Sequence, residues 1–324
     1  MAKDKLCTLT DAVKMVQDGD IVAFGGMIES RRPMAAMFEI IRQQKRNLIV
    51  TSSLSLEDIL ASAGCVGGVR GCYTHMGIAG KAHGVHRRIQ EGSLIVDDIG
   101  HIDCQMQVLG AGYGLPFIAS QYCIGSDITN PALDRSEDLR KIARNKDKIA
   151  PKKYIFQKNP FNEEETVVML PTIRPDIAFL HVAQATPSGT CRFNGTSGFD
   201  VNIGFAADIV IVTADEIVSE EYLRRDPNRN MLPSTMVTAV VDCPWGAHPG
   251  INQGYYDYDL AFVGAYRKAA ETEEGYKEWE KEWILDVGSH EGYVNKLGAA
   301  RLQKLKSVEP FGFKPRTPIS SFTK

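Results

Sequence analysis

Two adjacent glycines are the first residues in this sequence whose position suggests chemistry. Gly25 and Gly26 directly follow the apolar run 21–24, the pattern of a buried strand that leads into a tight loop. Two residues without side chains let a backbone approach a ligand closely and point its N–H groups at developing negative charge. The pair predicts a substrate-binding loop with oxyanion donors, while a purely structural turn would give the same pattern.

A cluster of three histidines offers a second kind of chemistry. His83 and His86 have the spacing of two imidazoles on one turn of a helix, which can bind a metal ion. A zinc site needs a third ligand that this spacing does not supply, so we predict a polar loop and no metal site. His75, the third member, is retained as a candidate substrate-binding residue.

Motifs for nucleotide phosphates and for serine nucleophiles are missing. Gly110 and Gly112 begin a glycine-rich segment, but it lacks the third glycine of the dinucleotide fingerprint and follows a predicted helix instead of a strand. Neither the P-loop pattern nor the Gly-x-Ser-x-Gly pattern occurs. These absences argue against dinucleotide-binding, P-loop and α/β-hydrolase functions.

The composition is that of an ordinary globular protein. The 324 residues are 44% hydrophobic and 24% charged, and 37 Lys and Arg residues against 40 Asp and Glu residues give a net charge of −3. No basic stripe is present to neutralise phosphates, so we predict no nucleic-acid partner. The sequence also has no signal-peptide pattern and no apolar segment of membrane-spanning length, about 18 residues. Seven scattered cysteines without a Cys-x-x-Cys pair favour a reduced, cytoplasmic location.

Strand and helix patterns alternate along most of the chain, and they must position these residues. Thr8 and Asp11 form a capping pair for a first helix, Pro33 begins a second helix that ends at Arg42, and Ser55 is expected to cap a third. The polar stretch 129–158 departs from the pattern and is expected at the surface. The strands are predicted at 21–24, 48–51, 69–73, 94–96, 167–170, 177–182, 209–213 and 237–241.

This alternation predicts an α/β fold with an open, mostly parallel sheet flanked by helices. Segment 255–306 has helical spacing of aromatic residues and predicts a C-terminal extension of two or three helices, followed by a tail at 307–324. No Gly-, Ser- or Pro-rich linker divides the chain. We therefore predict a single domain over 1–324.

Several segments resemble one enzyme family. Residues 18–27, together with Arg31 and Pro33, resemble the N-terminal signature of class I CoA-transferases. Further similarity, to alpha (A) subunits of the glutaconate CoA-transferase type, occurs at 184–190, 216–217, 224–227, 246–249, 256–259 and 295–299. Because these segments follow in order along nearly the whole chain, the resemblance is more specific than the glycine signature.

The resemblance implies transfer of CoA between an acyl-CoA and a carboxylic acid, with dicarboxylic acids included, through a glutamyl-CoA thioester. The CoA thioester is the substrate, and no further cofactor is implied. The nucleophilic glutamate of this family belongs to a separate B (beta) subunit, so the resemblance implies a hetero-tetramer or hetero-octamer. Glu291 is the tempting local nucleophile, but its region is not catalytic in related A subunits and we interpret it as a surface residue.

Residue by residue, the resemblance places Gly25 and Gly26 in the signature loop. Ser52 and Ser53 match the loop after the second strand, where hydroxyls could donate to a substrate carboxylate or carbonyl; a local turn is the alternative. Arg31 is the candidate for recognising the acid or the CoA phosphates, because a guanidinium pairs bidentately with such anions. A structural ion pair is the alternative for Arg31.

His101 marks a departure from the family pattern. Transferases of this family usually have a glutamine there, whereas histidine titrates near neutral pH and can act as a general acid or base. Family members that open a carbon–carbon bond in a cyclic CoA thioester carry a glutamate at this position, and the shorter segment 42–64 resembles theirs. A ring-opening hydrolase with His101 as base is therefore the alternative function, a non-catalytic stabilising subunit is a third, and a helix cap or wall is the structural alternative for His101.

Overall fold

The computed structural model describes residues 4–308, except for the side chains of 52–54 and 78. The strands are β1 (Ile21–Phe24), β2 (Leu48–Leu54), β3 (Val66–Thr74), β4 (Ile95–Asp98), β5 (Phe117–Ser120), β6 (Ile155–Asn159), β7 (Asn162–Pro171), β8 (Ile177–Ala185), β9 (Cys191–Arg192), β10 (Ile209–Ile217) and β11 (Ala239–Asp242). The α-helices are α1 (Leu9–Lys14), α2 (Met34–Arg42), α3 (Asp58–Ser62), α4 (His83–Gln90), α5 (His101–Gly112), α6 (Ser136–Ile142), α7 (Asp200–Ala206), α8 (Glu220–Arg224), α9 (Leu260–Ala269), α10 (Glu273–Glu280), α11 (His290–Leu297) and α12 (Ala299–Leu305).

A parallel sheet forms the centre of the fold. Its order is β11-β10-β8-β1-β2-β3-β4, and the short β9 pairs antiparallel with the end of β8. Strands β1 to β4 lie side by side in chain order, and β8 then pairs with the opposite edge of β1. This reversal makes the position between β1 and β8 the topological switch point, and ligands of open α/β sheets bind outside the carboxyl ends of the strands at such a point.

The strand sequences are continuous apolar runs because both faces of the sheet are covered. All four residues of β1 are buried, and β8 is buried along nearly its whole length. One face packs on a large apolar cluster that includes Phe38 of α2, Phe262 of α9 and Trp279 of α10. The other face packs on α5 and α7. The predicted open, mostly parallel sheet flanked by helices is thereby confirmed.

A second, antiparallel sheet contains the run 167–170, which was expected in the parallel sheet. Its order is β5-β7-β6, with Phe156 opposite Val168 in the β6–β7 hairpin. Only residues 160–161 connect β6 to β7, and a two-residue connection permits antiparallel but not parallel pairing. An apolar run alone does not reveal the length of its connection, which explains the error.

The polar stretch 129–158 also differs from its prediction, because parts of it are buried. Leu139 of α6 packs with Ile21 and Ile49 in a small cluster beneath the sheet. Lys153 is buried and forms an ion pair with the buried Asp97, at 3.3 Å. A charged run can therefore cover one end of a sheet and still contribute to its interior.

Two of the predicted helix caps have different outcomes. Thr8 caps α1 by accepting a hydrogen bond from the Asp11 amide, as predicted. The Ser55 cap was wrong, since α3 begins only at Asp58 and has no side-chain cap. Asp58 is itself buried and accepts hydrogen bonds from the Val85 amide and the Tyr266 hydroxyl.

The C-terminal extension contains α9 to α12 and a π-helical turn at Lys281–Leu285, more helices than the two or three expected. Glu291 is exposed on α11, as expected for a surface residue. Among the helices that the structure describes, none combines the length and the apolar character needed to cross a membrane.

Candidate active site at the carboxyl edge of the parallel sheet

The loop after β1 needs glycine for steric reasons. Gly26 has a φ of +92°, and a Cβ atom there would clash with the Ser30 carbonyl oxygen. The amides of the pair are occupied inside the protein: Gly25 N donates to the Phe179 carbonyl at 2.8 Å, and Gly26 N donates to Asp200 Oδ1 at 2.7 Å. These two N–H groups already have acceptors within the chain, and the place of Gly25 and Gly26 in a substrate-binding loop stays a prediction.

Arg31 is part of the support for this loop. The side chain is fully buried, and its guanidinium forms an ion pair with Asp200 at 3.0 Å. It also donates to the carbonyls of Thr196 at 2.7 Å and Asn194 at 3.0 Å, and lies over the Phe193 ring at 4.5 Å. The geometry fits the alternative prediction of a structural ion pair and not the recognition of a substrate acid or CoA phosphate, since the guanidinium faces protein groups.

A second buried arginine holds the loop from the other side. Arg32 pairs with Glu57 at 2.9 Å, and both side chains are inaccessible to solvent. The Arg32 guanidinium also donates to the carbonyls of Phe24 and Gly25, each at 3.2 Å. The end of β1 is thus fixed by two buried ion pairs, which makes it a rigid base for a site.

His101 lies at the same edge of the sheet, where β4 leads into α5. It is the first residue of α5, and its imidazole is exposed. The ring packs beside Phe199, with centroids 5.7 Å apart, and Nδ1 lies 3.6 Å from the Cys72 Sγ at the end of β3. Phe199 directly precedes Asp200, whose carboxylate binds the Gly26 amide. The structure therefore connects His101 to the glycine loop through residues 198–200.

The start of α5 offers backbone donors beside His101, and the same first turn also contains the buried carboxylate of Asp103. The N-cap residue of α5 is Gly100, which has no side chain to accept hydrogen bonds from the first amides of the helix. The N-terminus of this 12-residue helix carries partial positive charge. The Cys104 thiol, by hydrogen bonding, and then the Arg32 charge lower the pKa of Cys72 despite its partial burial. Amides at the start of α5, and not those of the glycine pair, are the backbone donors beside His101.

The remaining predicted site residues are His75, Ser52 and Ser53. His75 is exposed after β3; its Nδ1 is 3.4 Å from the Tyr73 hydroxyl, and it pairs with Lys81 across a short bridge. The side chains of Ser52 and Ser53 lie outside the described residues, so their role stays a prediction. Within 4–308, as far as the side chains are described, no group of three His, Cys, Asp or Glu residues is arranged to hold a metal ion.

A family model described as Coenzyme A transferase matches residues 7–242. This chain belongs to the coenzyme A transferase family. The resemblance predicted from the sequence is thus confirmed, and so is its CoA-transferase class.

Individual members of the coenzyme A transferase family match nearly end to end. The chain is 38% identical over 313 residues to the A subunit of glutaconate CoA-transferase from Acidaminococcus fermentans, covering 95% of this chain and 97% of that protein. The solved structure of that transferase superposes with a TM-score of 0.91, covering 96% of this chain and 98% of that chain at 37% identity. The A subunit of 3-oxoadipate CoA-transferase from Pseudomonas knackmussii is 31% identical over 305 residues. The match covers 92% of this chain and 99% of that protein.

A less similar relative is named as a hydrolase subunit and not as a transferase subunit. The chain is 25% identical over 304 residues to the cholesterol ring-cleaving hydrolase IpdA subunit of Rhodococcus jostii, covering 90% of this chain and 95% of that protein. The similarity to the transferase subunits is stronger. Both kinds of relative are named as subunits.

Sequence reasoning missed three residues of this candidate site. Asp200 accepts hydrogen bonds from the amides of Gly26 and Gly198 and pairs with Arg31, although nothing in its local sequence marks it. Phe199 looks like any apolar residue before a helix. Cys72 is, by sequence, only one of seven scattered cysteines. The one available signal was that Cys72 lies near the carboxyl end of a predicted strand and His101 shortly after the next one, and such ends share one edge of a parallel sheet.

Proposed function

We propose that this chain is the A subunit of a heteromeric CoA-transferase, which moves CoA between an acyl-CoA and a carboxylic acid, dicarboxylic acids included. The end-to-end similarity to the A subunit of a glutaconate CoA-transferase carries this proposal. The site geometry supports it, because the residues around His101 offer amide donors and a titratable ring beside a rigid loop. The CoA thioester enters as substrate, and the proposal invokes no other cofactor.

In this mechanism the nucleophile is a glutamate of the B subunit. Its carboxylate attacks the acyl-CoA carbonyl and expels the CoA thiolate, which leaves a mixed anhydride. The thiolate then attacks the glutamyl carbonyl, so that the first acid departs and a glutamyl-CoA thioester remains. The acceptor acid reverses these two steps and leaves as the new acyl-CoA. Two exchanges of similar energy replace one difficult direct transfer.

This chain would stabilise the charge that develops on the carbonyl oxygen. The first amides of α5 lack a side-chain acceptor at the cap, and the helix N-terminus favours an oxyanion there. His101 would donate to the same oxygen or to the acid, as the family's glutamine does. The buried pairs Arg31–Asp200 and Arg32–Glu57 keep the adjoining loop from moving during the reaction.

An apolar stripe on α5 supports the need for a partner. Ile102, Leu109 and Tyr113 recur at helical spacing along α5 and its C-cap, and are 44%, 37% and 76% exposed. Phe205 of α7, 40% exposed, lies beside Gly112 at the far end of α5. Contiguous apolar surface of this kind marks interaction sites. The B subunit would cover it, in a hetero-tetramer or hetero-octamer. The seven cysteines, none in a disulfide, fit a cytoplasmic location.

The test is to produce the chain together with the product of the adjacent gene and to incubate the complex with an acyl-CoA and acetate. We expect CoA to move to acetate and borohydride or hydroxylamine to trap an adduct at one glutamate of the partner. The complex with that glutamate replaced by glutamine is the control and should neither transfer CoA nor form the adduct. Consumption of the thioester in water, without an adduct, would contradict transfer.

A ring-opening acyl-CoA hydrolase is the second candidate function. The exposed imidazole of His101 favours it, because a histidine can activate water or substrate where a glutamine cannot. The similarity to the ring-cleaving hydrolase subunit also supports it.

The substitution His101→Gln separates the two functions. A transferase should tolerate the change within a few-fold, because glutamine keeps a hydrogen-bond donor at that position. A hydrolase that uses His101 as its base should lose about 100-fold or more in kcat. If the complex assembles and neither activity is found, the third possibility, a stabilising subunit without a catalytic role, is favoured instead.

A further inference from the structure

The environment of Cys72 differs from that of the other cysteines. None of the seven cysteines forms a disulfide, and four of them, Cys65, Cys104, Cys191 and Cys243, are buried. Cys7, Cys72 and Cys123 are partly exposed and can meet a reagent. Of these three, Cys72 has an imidazole nitrogen 3.6 Å from its sulfur, that of His101. Thiol and imidazole at this distance form the pair that generates reactive thiolates in proteins.

A second thiol, that of Cys104, also lies near Cys72. Cys72 packs against the apolar cluster that contains Cys104, and Cys104 lies three residues after His101 on α5. Residues three apart on a helix share one face, so the imidazole and the second thiol approach Cys72 together from α5. Cys104 is fully buried, whereas Cys72 is partly exposed. The arrangement combines one accessible thiol with one protected thiol beside it.

We propose that Cys72 is a modification site of this protein: its thiol reacts with peroxides, and Cys104 then converts the product to a Cys72–Cys104 disulfide. The inference does not depend on the reaction that the protein catalyses. It assigns a role to two residues that the transfer mechanism leaves unused.

The chemistry balances with a peroxide as the only oxidant. The Cys72 thiolate attacks one peroxide oxygen, the O–O bond breaks, and the departing hydroxide takes up a proton to become water. The sulfur is oxidised to a sulfenic acid while the peroxide is reduced. The Cys104 sulfur then attacks the sulfenic sulfur, and the hydroxyl group leaves as a second water with the proton from Cys104. One peroxide and two thiols thus give one disulfide and two waters.

The other partly exposed thiols provide internal controls. Burial and the nearby Asp11 raise the pKa of Cys7, and burial and Asp103 raise the pKa of Cys123 to about 11. Hydrogen bonding from Cys104 lowers the pKa of Cys72 instead, in a setting that also includes Arg32 and Asp98. A larger thiolate fraction, offset in part by lower intrinsic nucleophilicity, leaves Cys72 about tenfold more reactive than Cys123 near neutral pH.

The test uses the reduced full-length chain. We expect limiting iodoacetamide near neutral pH to label Cys72 about tenfold faster than Cys7 and Cys123, measured by peptide mass spectrometry. We expect limiting hydrogen peroxide, followed by N-ethylmaleimide, to give a Cys72–Cys104 disulfide while Cys7 and Cys123 remain alkylated. Equal labelling of the three exposed thiols, or oxidation of Cys72 with Cys104 left reduced, would overturn the proposal.

Variants sharpen the result. In Cys104→Ala, the sulfenic acid at Cys72 should persist and react with dimedone, because no second thiol resolves it. Cys123→Ser is the matched control, since it removes another partly exposed thiol near the start of α5 and should leave the Cys72–Cys104 disulfide unchanged. The mapping of the unsubstituted chain decides the question even if Cys104→Ala does not fold.

Discussion

The imidazole of His101 packs beside the ring of Phe199, with the two ring centroids 5.7 Å apart and the planes inclined by 56°. Phe199 is 3% exposed and is followed by Asp200, which holds the Gly26 amide. One buried ring thus links the orientation of an exposed titratable residue to the glycine loop at the switch point of the sheet. This relationship leads to the first prediction.

Replacing Phe199 by leucine should lower kcat about tenfold and change KM little, because His101 loses the ring that orients it while the substrate contacts remain. Phe199 is a positioning residue in this view. The control is Phe161→Leu, which alters a ring that is 96% exposed in the connection between β6 and β7. Steady-state rates of the complex give both constants. An equal fall in kcat for both variants would count against the positioning role.

Asp200→Asn should destabilise the protein by about 3–5 kcal/mol, because the Arg31 guanidinium would remain buried without its counter-ion. Asp208→Asn is the control: Asp208 pairs with Lys148 and Arg174 but is 42% exposed, so we expect less than about 1 kcal/mol. Denaturant unfolding measures both free energies. If the two variants lost similar unfolding free energies, burial would not explain the contribution of the Arg31–Asp200 pair to stability.

Gly26→Ala should reduce the free energy of unfolding by about 3 kcal/mol or more. The substitution combines a left-handed backbone with a clash against the Ser30 carbonyl. Gly92→Ala isolates the first effect, since Gly92 has a φ of +70° and open space around its Cβ position, and should cost about 1 kcal/mol. The same unfolding experiment compares them. Equal losses of unfolding free energy in Gly26→Ala and Gly92→Ala would contradict a contribution from the clash.

Acid should weaken the fold through His290. Burial lowers the pKa of His290 to about 4, while its Nε2–H donates to the Pro244 carbonyl at 2.7 Å. The unfolded chain binds the proton first, near pH 6.5, so the contribution of His290 to stability is complete above about pH 6.5 and is lost as the pH falls toward about 4.

Replacing His290 by glutamine keeps a donor for the carbonyl but removes the proton-binding site. We expect the variant to lose about 2–3 kcal/mol less stability than the parent between about pH 6.5 and 4. The exposed His75, replaced by glutamine in the same way, is the control for the substitution itself. Unfolding midpoints across this pH range give the slopes. Parallel slopes in parent and His290→Gln would contradict the role of His290.

The sequence alone determined the elements and the family. Continuous β-branched runs indicate strands that are buried on both faces, whatever their neighbours, so β1, β8 and β10 could be predicted from local pattern. The ordered series of family-like segments likewise requires no coordinates. Capping chemistry is local too, which explains the success at Thr8, whereas Ser55 failed because α3 is set by the burial of Asp58.

Only the tertiary structure decided what the site residues do. Arg31 and Gly26 have the residue types of a ligand site, yet Asp200, far along the chain, uses both the guanidinium and the amide inside the fold. His101 acquires its neighbours in the same way, since Cys72 and Phe199 come from other elements. A hydrogen bond or ion pair saturates a polar group wherever its partner originates in the sequence, and long-range partners are set by packing, which no local pattern encodes.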